Sequence, residues 1–288
     1  MAIIMSGVPV ANSVEDEVRR DAKRYSETYN RKPGLATILV GSDSSSANYI
    51  NMKQKKASEL GFHSPHKHLN DNSTTKDLIE VVESFNEDEL VDAMLIQYPP
   101  PKGVDFEEAL YHVNPDKDAD GMHPLNMGRL ALSMPGPIPC TPAGIEAILA
   151  FYSVQVSGRH VVIVGRGLTL GKPLSLLLSQ KRDSANAAVT LVHSGVSDLK
   201  QITLQADILI SAAGVPGIVS KDMVRRGAVV VGAGVRYEGK KLLPDVNEDV
   251  EEVASYITPR VGGVGPTTVA MLFRNAISSA FRLKELTK

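Results

Sequence analysis

The sequence predicts an α/β fold in two domains, on three observations. A short β-branched run in the second half ends in a cluster of glycines that opens a helical stretch. Apolar runs alternate with helical periodicity on both sides of it. A proline-rich stretch, Pro135 to Pro142, separates the halves. Alternating strands and helices are the pattern of parallel sheets covered by helices.

The glycine cluster lies in His160 to Pro173, HVVIVGRGLTLGKP. Val161 to Val164 reads as a strand, Gly165-Arg166-Gly167 as a tight turn, and Gly171 as the opening of a helix. Glycines let a backbone approach a ligand closely, and the unpaired N–H groups of a first helical turn face negative charge. The spacing G-x-G-x-x-x-G is one residue longer than the usual dinucleotide fingerprint. The next strand, from Ala188, ends in His193-Ser194-Gly195, and no Asp or Glu follows until Asp198. A carboxylate there would hold both ribose hydroxyls of NAD and repel a 2′-phosphate. Ser194, His193 and the nearby Arg166 would not, so the pattern favours NADP over NAD. Apolar runs at Ala206 to Ala212 and Ala228 to Val231, with a helical pattern at Leu199 to Gln205, complete a Rossmann-type series.

The first half has its own alternation. Leu35 to Gly41 reads as a strand, and Ser44 to Gly61 as a helix with polar start residues and a glycine stop. His63 to Leu69 reads as a further strand, and Thr75 to Phe85 as an amphipathic helix. Asp92 to Gln97 is a short apolar strand that runs into Tyr98-Pro99-Pro100-Pro101, where proline must leave the sheet. This half lacks a glycine-rich phosphate turn. The predicted order is therefore a substrate/catalytic domain followed by a dinucleotide-binding domain, with the active site in a cleft between them.

Length and composition bound the function. A chain of 288 residues suits about two domains. A net charge of −2 gives no footing for nucleic acid or an anionic membrane. One cysteine, Cys140, excludes an internal disulfide and a multi-cysteine metal site. No basic leader and no membrane-length apolar run is present, so the expected compartment is the cytoplasm.

Tyr49 and Lys53 lie four apart on the Ser44 to Gly61 helix and share a face, with Lys56 three further on. A lysine in a cleft with other cations nearby can act as acid or base near neutral pH. Asp116, Asp118, Asp120 and Gly121 open like a calcium loop, but its twelfth position is Met127 rather than Glu, so calcium is rejected. Asp120, beside the glycine, is the preferred carboxylate for a ligand. His63, His66 and His68 read as a surface loop rather than a metal site, and no metal is expected. Thr258 to Thr268, TPRVGGVGPTT, reads as a second ligand-facing helix start, with Pro266 at the first helical position.

Taken together and in order, these segments resemble one family. The chain is similar to the bifunctional 5,10-methylene-tetrahydrofolate dehydrogenase/cyclohydrolases, the FolD family. The resemblance runs through SSANYINMKQKKASELG, LIQYPPP, PDKDADGMHP, PCTPAG, VVIVGRGLTLGKP and PRVGGVGPTT, and so covers nearly the whole chain. It implies oxidation of 5,10-methylenetetrahydrofolate to the methenyl form with NADP, then hydrolysis to 10-formyltetrahydrofolate, by a cytoplasmic homodimer. It further implies a folate-binding catalytic domain at residues 1–139, an NADP-binding domain at 140–266, and a final helix at 267–288 that packs back on the first. Carried over, Lys53 is the acid/base residue of hydrolysis, Tyr49 positions the folate, Gln97 tunes Lys53, and Asp120 binds the pterin. Gly262, Gly263, Gly265 and Pro266 line the substrate, while Gly165, Arg166, Gly167, Ser194 and Val235 contact NADP.

The chain departs from the family on the cofactor side. Gly165-Arg166-Gly167 stands where GRS is common, and His193-Ser194-Gly195-Val196 where HSRT is frequent. Gly232-Ala233-Gly234 replaces a common DVG, Pro244 precedes Asp245 where glycine is frequent, and Val261 opens the segment usually read PGGVGP. Two other readings remain at this level: a two-domain dehydrogenase of the shikimate type, which has no use for the Tyr49, Lys53, Gln97, Asp120 set, and a non-catalytic nucleotide-binding protein, which would need that set degraded.

Overall fold

The chain folds, in a computed structural model that describes residues 2–238 and 241–286, into alternating strands and helices. It opens with β1 (Ile3–Ile4) and α1 (Gly7–Tyr29). Then follow β2 (Leu35–Val40), α2 (Ser44–Leu60), β3 (His66–Leu69), α3 (Thr75–Glu87), β4 (Ala93–Ile96), α4 (Phe106–His112) and α5 (Pro124–Ala131). The second half runs α6 (Cys140–Phe151), β5 (His160–Val164), α7 (Gly171–Leu178), β6 (Ala188–Val192), α8 (Leu199–Thr203), β7 (Ile208–Ser211) and β8 (Val229–Gly232). It closes with β9 (Val235–Glu238), β10 (Lys241–Pro244), β11 (Tyr256–Ile257) and α9 (Val264–Leu286).

The chain divides into two units. One joins the segment up to Asn12 to Pro139–Thr268; the other joins Ser13–Ile138 to the segment from Val269 onward. The division places the first twelve residues with the second half of the chain, where the sequence reading had them in the first domain. The physical reason is main-chain pairing: Ile3 N–H donates to Ser255 O at 2.8 Å and Met5 N–H to Ile257 O at 2.7 Å, so β1 forms an edge strand there.

The unit containing Ser13–Ile138 is built on a parallel sheet in the order β3-β2-β4. Every residue of β2 and β4 is buried, because helices cover both faces of the sheet. α1 places Val10, Val14, Val18, Ala22 and Tyr25 on one buried stripe. Just beyond its end, Arg31 forks onto Asp92 with bonds of 2.8 and 2.6 Å.

The other unit carries a six-stranded parallel sheet in the order β1-β11-β8-β7-β5-β6, with β9 and β10 forming a separate antiparallel hairpin. The chain passes from β5 to β6 on one side and then to β7 on the other. The strand order therefore switches at β5, where a doubly wound sheet opens a crevice for a ligand. Among the described residues no helix is long and apolar enough to cross a membrane.

Candidate functional site

α2 begins cleanly because Asp43 accepts the Ser46 N–H at 2.7 Å, and it stops at Gly61, whose φ of 84° breaks the helix. This fixes Tyr49 and Lys53 one turn apart on a common face. Tyr49 is 44% exposed. The Lys53 ammonium donates to Gln97 Oε1 at 3.0 Å. Gln97 follows directly on β4, is buried, and donates from Nε2 to the Tyr98 carbonyl at 2.9 Å. That second bond fixes which end of the amide is oxygen and holds it toward Lys53. Among the described residues no carboxylate lies within ion-pairing distance of Lys53.

Lys56 differs. Its ammonium is taken by Glu15 at 2.9 Å and Glu59 at 3.2 Å. Burial alone would lower its pKa, but the two carboxylates outweigh burial and raise it. It is therefore a fixed cation clamped to α1, rather than a charge that presses on Lys53.

Asp120 lies in a loop held on three sides. Residues 117–119 run parallel to β4: Met94 N–H donates to Lys117 O at 2.7 Å and Ala119 N–H to Met94 O at 3.0 Å. Asp120 therefore leaves this segment at the same carboxyl edge from which Gln97 emerges. Asp118 is the buried member of the aspartate series. Its oxygens accept the Gly121 and His123 N–H groups and the Asn126 amide at 2.8 to 3.0 Å. Burial pushes the Asp118 carboxyl up, against those same donors. Lys117 caps the end of α3 with three bonds to the Phe85, Asn86 and Asp88 carbonyls. From α9, Asn275 donates to Ala119 O at 2.9 Å. None of Asp118, Asn126, Lys117 or Asn275 was singled out from the sequence as part of the site. Three aspartates at alternate positions show period two, but not which face is buried.

The glycine turn is a cradle made of backbone. Gly165 has φ of 116°, and a Cβ there would stand 2.3 Å from the Ala212 carbonyl oxygen. A Cβ on Gly171 would stand 1.9 Å from the Gly165 oxygen. These two positions must be glycine so that turn, helix start and β7 loop can pack main chain against main chain. α7 has no side-chain cap; in its first turn Lys172 N–H donates to Gly167 O at 3.2 Å and Leu174 N–H to Leu170 O at 2.9 Å, while Pro173 has no N–H. Gly167 is different, since a Cβ there meets nothing within 4 Å.

At the end of β6, Gly195 N–H donates to His193 Nδ1 at 3.0 Å. The His193 Nε2 lies 3.2 Å from Arg166 Nη1. The Arg166 guanidinium thus stands beside the end of β6, a cation available to an anionic group there. Ser194, beside them, is exposed. Val235 opens β9 and is 42% exposed. Gly262 accepts the Gly7 N–H at 2.8 Å, and Gly263 is buried. Gly265 and Pro266 lie inside α9, which begins at Val264, so Pro266 is third in the helix rather than first. It still needs no hydrogen-bond acceptor there, because first-turn amides have none within the helix. His66 and His68 turn to Thr37 and to the Gly41 carbonyl. Among the described residues no group of three or more His, Cys, Asp or Glu side chains is placed to hold a metal.

Known proteins resemble the chain along its whole length. A family model described as tetrahydrofolate dehydrogenase/cyclohydrolase, catalytic domain, matches residues 5–120. A second, described as the NAD(P)-binding domain of the same enzymes, matches residues 139–284. The chain is 54% identical over 280 residues to the bifunctional protein FolD of Syntrophotalea carbinolica, covering 97% of this chain and 96% of the relative. It is 52% identical to FolD 1 of Salinispora tropica over 280 residues, covering 97% of this chain and 91% of that protein. Among solved structures it is similar to the Trypanosoma brucei methylenetetrahydrofolate dehydrogenase-cyclohydrolase complexed with NADP and an inhibitor. The TM-score is 0.91 at 34% identity, over 98% of each chain.

Proposed function

The chain belongs to the tetrahydrofolate dehydrogenase/cyclohydrolase family, and on that premise we infer how its residues carry the family's two reactions. It oxidises 5,10-methylenetetrahydrofolate to the methenyl form with NADP, and hydrolyses the methenyl form to 10-formyltetrahydrofolate. The observation that carries the assignment of roles is the Lys53–Gln97 bond.

Hydrolysis needs water to attack a cationic carbon, a proton to leave that water, and a proton to reach the departing nitrogen. Lys53 can serve both transfers because its partner is neutral. A carboxylate partner, such as Lys56 has, holds the proton on the amine. The Gln97 oxygen orients the amine and accepts a bond from it in either protonation state. Tyr49, exposed one turn earlier, offers a ring face to the pterin, and Asp120 offers acceptors to its N–H edge. Oxidation needs no strong base, because the two nitrogens flanking the reacting carbon stabilise the cation that forms. The protein's task there is positioning.

The cofactor supplies the hydride acceptor when bound. The residues fit it. Gly165 and Gly171 make a cradle at the start of α7 that side chains would fill, and the Arg166 guanidinium, beside His193, offers a cation to a 2′-phosphate. Ser194 adds a hydroxyl at the same strand end, and Val235 and the Gly262 to Pro266 segment are read as lining the nicotinamide and folate. Residues 1–139 and 140–266 are read as the folate and NADP parts, amended by the placement of the first twelve residues.

The same reading carries a homodimer in the cytoplasm. It is supported by the exposed Ile3 and Ile4 of an edge strand, which a second copy would cover, and by the single buried Cys140. Sedimentation measures the oligomeric state. The decisive assay follows NADP reduction with methylenetetrahydrofolate and consumption of the methenyl form, with NAD in parallel. Absence of either NADP reduction or methenyl hydrolysis overturns the reading.

A further inference from the structure

We propose that Asp245 is a positioning residue for the cofactor, a resident carboxylate that fixes the loops after β7 and β8 at the nicotinamide end of the cradle. The proposal rests on the reading of the chain as an NADP-dependent dehydrogenase. Asp245 is wholly buried just beyond β10. Its Oδ2 accepts Ser211 Oγ at 2.8 Å, the Ala213 N–H at 2.8 Å and the Gly214 N–H at 3.1 Å. Its own N–H donates to the Gly234 carbonyl at 3.0 Å, and Gly234 N–H donates back to Ser211 O at 3.0 Å. One residue therefore joins the β7 loop, the β8 loop and the end of the hairpin. Gly234 is glycine for this contact, since a Cβ there would stand 1.8 Å from Asp245 Oδ2.

The position follows from the strand order. The end of β6 is where the adenosine ribose of a dinucleotide is held, and the glycine turn after β5 takes the pyrophosphate. β7 and β8 lie on the other side of β5, so the nicotinamide half falls to their loops. The β7 loop is also the backbone on which Gly165 packs, through Ala212 O. The chemistry explains why a charge is kept. Successive main-chain N–H groups such as those of Ala213 and Gly214 form an anion-binding concavity. Asp245 fills it from inside, so that concavity is closed to a phosphate. Packing alone gives no reason for this arrangement. Asp245 Oδ1 is buried with no hydrogen-bond partner among the described residues.

The test is Asp245→Asn in the full chain, which keeps the size and one acceptor but removes the charge. NADPH affinity is read by fluorescence titration without folate, alongside kcat and KM for NADP, cyclohydrolase rate and thermal midpoint. The expected result is a rise of about tenfold in both the NADPH dissociation constant and KM for NADP, with cyclohydrolase within about twofold of the parent. A parallel fall in both activities, or an unchanged NADPH dissociation constant, overturns the proposal. Should that variant not fold, Ser211→Ala removes one donor. It is expected to weaken NADPH by about threefold, and an unchanged affinity overturns the proposal equally. A parent protein without dehydrogenase activity would defeat the functional reading instead, and the NADPH titration would still test Asp245.

Discussion

The regions proposed for folate and for the cofactor are built of different materials. Around Lys53 the contact surface is side chains on regular elements, and the polar end of each key group is assigned: Gln97 faces Lys53 with its oxygen and Tyr98 with its nitrogen. Around Gly165 the contact surface is main chain, brought close where no side chain would fit. The difference explains where the chain departs from its family. A side-chain site loses its chemistry when one residue type changes. A backbone cradle keeps its shape as long as the two crowded glycines remain, so an open position such as Gly167 can vary with an effect on affinity alone.

The sharpest way to break this comparison is Lys53→Met. It removes the proton carrier and preserves the bulk of the stem. Cyclohydrolase activity should fall by about 10³-fold or more, in line with acid–base contributions generally. Hydride transfer to NADP should persist, because that step relies on positioning. If the variant hydrolyses the methenyl form as the parent does, the side-chain account of this end is wrong. The counterpart on the other side is Gly165→Ala. The substitution forces an L residue to φ near 116° and sets a methyl against the Ala212 carbonyl. About 3 kcal/mol of strain and a loss of NADPH affinity of roughly 10²-fold are expected, with cyclohydrolase retained. Calorimetry with and without NADPH measures both quantities.

How far each side was legible in the sequence follows the same division. The glycine turn was readable because close approach of main chain leaves one residue type available, and Gly165 and Gly171 sit where the strand-to-helix pattern demands it. The Tyr49 and Lys53 pair was readable from helical spacing, although spacing alone does not distinguish Lys53 from Lys56. Their difference is made by Glu15, far away in the chain on α1, a helix that the sequence reading passed over despite its buried stripe of Val10, Val14, Val18 and Ala22. The aspartate run pointed to Asp120, but the residue that ties its loop is Asp118, and only the fold decides which aspartate turns inward. Asp245 left no local signal at all, since its partners come from loops after two other strands. Long-range hydrogen bonding is the part of the site that local pattern does not carry.

Arg166→Gln sharpens the comparison at a smaller scale. It removes the charge that faces His193 Nε2 and keeps a hydrogen-bonding side chain. A charge-assisted bond to a 2′-phosphate is worth about 1.5 to 3 kcal/mol, so KM for NADP should rise by about tenfold or more. KM for NAD, which has no phosphate at that hydroxyl, should stay within about twofold. Steady-state kinetics with both cofactors measures the ratio. An equal change for NAD and NADP would mean that Arg166 supports the turn rather than reading the phosphate.

The smallest effect is expected where the cradle has room to spare. A Cβ on Gly167 meets nothing within 4 Å. Gly167→Ser therefore adds a hydroxyl to an open position of the turn without moving its backbone. Replacing glycine at a compatible site also restricts the unfolded chain and stabilises by about 0.4 to 1 kcal/mol. Both effects act in the same direction: the thermal midpoint should rise slightly, and NADPH should bind tighter by about two- to fivefold through the added donor. If the variant instead binds NADPH more weakly, the space beside Gly167 is needed by the cofactor itself. Glycine there would then be an adaptation of this chain, as tightly required as Gly165, and the line drawn here between crowded and free positions of the turn would have to move.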